Sequence, residues 1–128
     1  MKIATNIAGA LLGLAFLAFS IMFFLEIGPK PPAPPKDSFV AMFMGAMMPT
    51  GYMAFVKAIE LFGGLLVAIP KTRNIGLLFL GPVIVNILAY HIFLTDRSQL
   101  FAPPLVVIVV LATFLLWSGR KAFARLLS

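Results

Sequence analysis

The sequence predicts an all-α membrane protein: a four-transmembrane-helix bundle with a short interfacial or re-entrant helix before the second span. Three observations predict it. Hydrophobic residues make up 62% of the 128 and charged residues only 11%, with a mean hydropathy of +1.08, far too apolar for an ordinary soluble domain. The apolar residues fall in long runs separated by short polar or proline-rich breaks. The ten Lys and Arg, behind a net charge of +6, stand in ones and twos at the ends of those runs. That scatter sets membrane topology and argues against nucleic acid as a partner.

The chain reads as one domain, residues 1–128. Residues 3–27 form an apolar run after Lys2, ample for a hydrocarbon core of about 30 Å at 1.5 Å per residue. A cleaved signal peptide fits this run less well, because its apolar region is too long and no clear cleavage site follows. Residues 28–38 hold Pro29, Pro31, Pro32, Pro34 and Pro35, a density that excludes helix and favours an extended external spacer. Residues 39–48 are apolar but reach only about 15 Å as a helix, half a bilayer core. Ser38 is their expected N-cap and Pro49-Thr50-Gly51 their stop.

The second span is expected over residues 52–69, ending at Pro70, and the third over 75–95, ending at Asp96-Arg97-Ser98. Pro103 and Pro104 open the fourth, over 103–118, where a missing proline amide is harmless. Residues 119–128 alternate basic and apolar residues, as a tail lying on an anionic membrane surface does. With the N-terminus inside, Lys2, Lys71, Arg73, Arg120, Lys121 and Arg125 lie on the cytoplasmic side, against Lys30, Lys36 and Arg97 outside. The asymmetry favours both termini in the cytoplasm; were residues 39–48 also to cross, an external N-terminus would give seven against two, and it is the shortness of that segment that decides against it.

Ionisable groups at membrane depth are costly unless paired or facing a polar cavity, so Lys57 and Glu60, within an apolar span, are the first candidates for function. Counting from the outer ends, Lys57 lies about 8 Å deep and Glu60 about 12 Å, with His91 about 6 Å and Asn86 about 14 Å on the next span. Glu26 ends the first span on the same side, and Tyr90 follows Asn86 by one helical turn. Glu26, Lys57, Glu60, Asn86, Tyr90 and His91 are therefore expected in one outer polar cluster. An architectural role competes at each position: Lys57 and Glu60 pairing only with each other, Asn86 bonding a neighbouring helix, and Tyr90 and His91 anchoring at the interface.

Other features are less specific. Met42, Met44, Met47, Met48 and Met53 are five of the seven methionines. With His91 they offer Cu(I) ligands, but flexible packing explains them more simply and no metal site is assigned. Gly9 with Gly13, and Gly63 with Gly64, suit close helix packing and leave room for an oligomer through small-residue faces. With no cysteine, the chain supplies no thiol to redox chemistry. It also lacks a phosphate-binding glycine loop and a metalloprotease histidine pair, and Ser20 has no partnered base to make it a nucleophile.

The stretch from Lys57-Ala58-Ile59-Glu60-Leu61-Phe62-Gly63-Gly64 to Leu66, followed by Gly81-Pro82-Val83-Ile84-Val85-Asn86 through His91 to Leu94, resembles the DoxX family of small bacterial membrane proteins. The likeness covers the second and third spans closely and the remainder more loosely. It implies a four-helix protein of the bacterial cytoplasmic (inner) membrane, redox-associated, whose namesake is a subunit linked to thiosulfate:quinone oxidoreduction. The motif positions correspond to Lys57, Glu60, Gly63, Gly64, Pro82, Asn86 and His91, without assigned catalytic roles. The expectation is an accessory subunit with an intramembrane site for a quinone or small polar-headed lipid, possible partner to a membrane-associated oxidoreductase and without catalysis of its own. The alternative is a small transport, proton-conducting or structural docking module.

Overall fold

The computed structural model describes residues 2–28 and 33–127; most of the proline run, residues 29–32, lies outside them. Every described regular element is helical. Helix α1 (Lys2–Leu25) packs most extensively against α3 (Tyr52–Ala68), which in turn packs against α4 (Arg73–Phe93). Helix α5 (Pro103–Ser118) closes the bundle against α1 and, more lightly, α4. The short α2 (Phe39–Met47) precedes α3, and α6 (Arg120–Ala124) follows α5 after a break at Gly119.

By length and composition, α1 and the segment Pro70–Phe93 are each apolar and long enough to cross a membrane. A third crossing is obtained if α2 and α3, bent by 79° at their junction, are taken as one broken span. Helix α5 has 16 residues, about 24 Å of helix, short of a typical hydrocarbon core. The structure thus supports two or three spanning helices where the apolar runs suggested four. The reason is helix length: α3 has 17 residues and α5 16, each short of the roughly 20 that a typical core needs, while the break after α2 falls where Pro49-Thr50-Gly51 marks it.

Local signals account for the helix limits. Ser38 caps α2 by accepting a hydrogen bond from the Ala41 amide at 3.1 Å. Gly51, at φ +82°, turns the chain between α2 and α3. Pro103 and Pro104 stand in the first turn of α5. At the end of α1, Ile27 N–H bonds to Met22 C=O and Glu26 N–H to Phe23 C=O. This is a Schellman closure with Glu26 at φ +54°, where glycine is usual.

The end of α3 corrects the sequence reading. Arg73 is not a loop cation: α4 begins with it, and its side chain is only 6% exposed. Its Nε donates to Val67 C=O at 2.9 Å, while Thr72 Oγ1 donates to Leu66 C=O at 2.8 Å. Carbonyls that the terminus of α3 leaves without helical partners are thereby satisfied, and the guanidinium sits at the negative end of that helix dipole.

The core comprises Ala8, Leu12 and Phe16 of α1, Val67 of α3, Leu77, Leu80 and Ile84 of α4, and Ile108, Ala112 and Leu115 of α5. Outside it the surface is also apolar: Leu14, Phe55, Val85 and Val110 are all more than half exposed. A water-soluble monomer rarely shows apolar surface on this scale, whereas lipid demands it.

Candidate functional site

Lys57 and Glu60 lie three residues apart on α3, so their side chains share a face. Lys57 Nζ stands 3.4 Å from Glu60 Oε2, with side-chain exposures of 23% and 5%. The carboxylate is enclosed by the bundle, while the ammonium is reachable from its edge. The ammonium also stands 6.0 Å from the centre of the Phe23 ring of α1, so an aromatic wall bounds the pair.

Antiparallel register adds a residue that the sequence reading set aside. Phe23 meets Lys57, and about two turns further along a Cβ on Gly64 would lie 3.0 Å from Phe16 Cβ. These two contacts bracket Ser20 on α1 and Glu60 on α3 at the same level. Ser20 is 0% exposed and its hydroxyl has no hydrogen-bond partner. A buried unsatisfied hydroxyl costs about 1–3 kcal/mol, so it needs an explanation. No spacing rule pairs residues 20 and 60; the signal in the sequence is a single Ser within an otherwise apolar stretch of α1.

The other expected members of the cluster occupy the same end of the bundle but separate surroundings. Asn86 is exposed on α4, and its amide nitrogen donates to Pro82 C=O of its own helix at 2.9 Å. Pro82 lies inside α4. The Tyr90 ring packs on Phe43 of α2 at 5.2 Å and on His91 at 5.1 Å, so the half-helix reaches across to α4. His91 Nδ1 lies 2.8 Å from Ile87 C=O. A carbonyl only accepts, so Nδ1 carries the proton and Nε2 offers its lone pair in the neutral ring. Glu26 is exposed in the turn after α1. Among the described residues no ion pair joins Glu26 to Lys57, and no hydrogen bond joins the Lys57–Glu60 pair to Asn86, Tyr90 or His91.

Gly63 and Gly64 do serve packing. A Cβ on Gly63 would lie 2.8 Å from Leu80 Cδ2, and one on Gly64 3.0 Å from Gly13 C=O. Gly9 lies under the Arg73 guanidinium, where a Cβ would collide with it. These small-residue faces are therefore occupied by contacts within the chain. Among the described residues, no group of three or more His, Cys, Asp and Glu side chains is arranged to hold a metal.

In comparisons with known proteins, no family model matches the chain, and neither a curated protein nor a solved structure matches it significantly. The resemblance to DoxX thus rests on the sequence motifs alone.

Proposed function

We propose that this chain is an accessory subunit of a bacterial membrane redox system, resembling DoxX, whose α1–α3 seam receives the polar head of a quinone or comparable lipid. The observation that carries this reading is the placing of three polar groups at one level of an apolar seam: the buried Glu60 carboxylate, the edge-reachable Lys57 ammonium and the unpartnered Ser20 hydroxyl. A ligand carbonyl accepts hydrogen bonds from Lys57 and Ser20, while Glu60 accepts from a ligand hydroxyl. Phe23 offers a ring face for stacking. Tyr90 and His91 lie at the same end of the bundle but in surroundings of their own, against Phe43 and the α4 backbone.

The reading includes four crossings by α1, α3, α4 and α5, with both termini cytoplasmic. Local bilayer thinning accommodates the short α5 at modest cost. Because the chain has no cysteine, single cysteines at Ser98 and Lys121 are clean topology reporters; an impermeant maleimide should label the first from outside and the second only after permeabilisation.

The binding test is titration of a short-chain benzoquinone into the protein in lipid nanodiscs. Lys57→Met, Glu60→Gln and Ser20→Ala should each weaken binding about tenfold or more, as loss of a charged or buried hydrogen bond implies. Wild-type protein that does not bind the quinone, or variants that bind as wild type does, would refute the site.

A second reading, a structural docking or transport module, draws on Asn86. Its amide bonds its own helix backbone, and Lys57 and Glu60 pair within α3, as purely architectural groups would. Replacing both by leucine without loss of fold or phenotype favours that reading.

A further inference from the structure

At the end of the bundle opposite the Lys57–Glu60 pair lies a cavity of about 210 Å³ lined by Thr5, Pro70, Arg73, Asn74, Leu115, Ser118 and Gly119. Arg73 is 6% exposed, and its Nη2 is buried without a hydrogen-bond partner. The Ser118 hydroxyl on the same cavity is likewise buried and unpartnered. The other guanidinium contacts are neutral: Val67 C=O for Nε and Asn6 Oδ1, at 3.0 Å, for Nη1.

A buried guanidinium without a counter-charge is strongly unfavourable, and the chain has nothing acidic in its side chains to offer there. Its four acidic residues are Glu26, Asp37, Glu60 and Asp96. Glu26 and Asp37 follow the far end of α1, and Asp96 the far end of α4. Glu60 is eight residues short of the α3 terminus, about 12 Å away along the axis. The half-charge of the α3 dipole offsets only part of the guanidinium's charge. Meanwhile Lys71 and Arg120 adjoin the cavity-lining residues in sequence and raise the local positive potential.

We infer that the Arg73–Ser118 cavity is a binding site for a phosphate oxyanion, the guanidinium Nη2 and the serine hydroxyl donating to its oxygens. Arginine and hydroxyl together match the chemistry of a phosphate group, which accepts several charge-assisted hydrogen bonds at once. Two sources share that chemistry: the phosphodiester of an anionic lipid headgroup entering from the membrane surface, and free phosphate. The inference does not depend on the quinone reading, since it uses a different end of the bundle and different residues.

The test uses the full chain in neutral detergent and in nanodiscs, with thermal unfolding followed by circular dichroism. Inorganic phosphate is titrated in detergent at constant ionic strength; separately, phosphatidylcholine nanodiscs are compared with ones containing phosphatidylglycerol. Protection by phosphate identifies a free-anion site, and protection by phosphatidylglycerol alone identifies a headgroup site; either supports the inference provided Ser118→Ala weakens the protection about tenfold in ligand concentration. Arg73→Gln should abolish it. Should that variant fail to fold, Ser118→Ala still decides, because removing an unpartnered hydroxyl leaves the fold intact. Lys121→Ala, at an exposed position, controls for general surface charge. Absence of protection by both probes, or protection equal in wild type and Ser118→Ala, overturns the site.

Discussion

Gly13 of α1 and Gly64 of α3 bring two helix backbones together: a Cβ on Gly13 would stand 2.6 Å from Gly64 C=O. Backbone cannot yield as a side-chain tip can, so the absence of a side chain at residue 13 sets the α1–α3 distance. That distance in turn holds Ser20, Phe23, Lys57 and Glu60 in one seam.

Gly13→Ala should therefore destabilise the bundle by about 1–3 kcal/mol through overpacking. Gly45, inside α2, has open space where a Cβ would stand. Gly45→Ala should instead stabilise by about 0.5–1 kcal/mol through helix propensity. Reversible unfolding of both variants in mixed detergent micelles checks the contrast; equal effects would show that the helices are not so closely approached.

Lys57→Leu should cost up to about 3–5 kcal/mol, since it strands a buried carboxylate. Glu60→Leu should cost less, because Lys57 is partly exposed and its stem lets the ammonium reach polar surroundings. The double leucine variant should recover most of the loss. The three unfolding free energies, closed as a double-mutant cycle, measure the coupling directly.

Asn6→Ala removes the acceptor for Arg73 Nη1 and leaves a second guanidinium nitrogen short of a partner. A loss of about 1–3 kcal/mol is expected. It should shrink when phosphate or anionic lipid is supplied, if the cavity beside Arg73 binds an oxyanion.

Glu26 holds a left-handed backbone conformation, φ +54°, that costs a side-chain-bearing residue about 1–2 kcal/mol. Glu26→Gly should raise stability by about 1 kcal/mol after allowing for glycine's greater freedom when unfolded. Unchanged quinone affinity in that variant is expected, because Glu26 stands apart from the Lys57–Glu60 pair.

In the turn after α4, Ser98 bonds the Asp96 carboxylate through its side chain and its amide, the latter at 2.9 Å, and holds the carboxyl below its usual pKa. The lowered folded value means that the associated stability is present above the unfolded pKa and fades as pH falls through the folded one. Ser98→Ala should move the Asp96 titration, read by carboxyl carbon resonances, back upward. An unmoved midpoint would rule out the hydroxyl as the cause.

Residue chemistry alone marked Lys57 and Glu60 as a pair, because a spacing of three on a helix settles that contact without tertiary help. It also indicated the N-cap at Ser38 and the start of α5 at Pro103, both local effects. The joint cluster with Glu26 and Asn86 was less legible. Distance along a helix gives depth, but whether a side chain faces the seam depends on rotation, which the packing partner sets. Asn86 has the depth of Glu60 yet faces outward and bonds its own backbone.

The sequence by itself determined a membrane-type helical chain, the cap at Ser38, the proline start of α5 and the intrahelical pair, since hydropathy, capping and short-range spacing act within a few residues. Only the tertiary structure decided that Ser20 lies level with Glu60, that Arg73 is drawn from a loop into the bundle, and that the glycines are used within the chain. Each depends on how two helices far apart in sequence are rotated and set against one another, and close packing of side chains fixes that only when the whole bundle assembles.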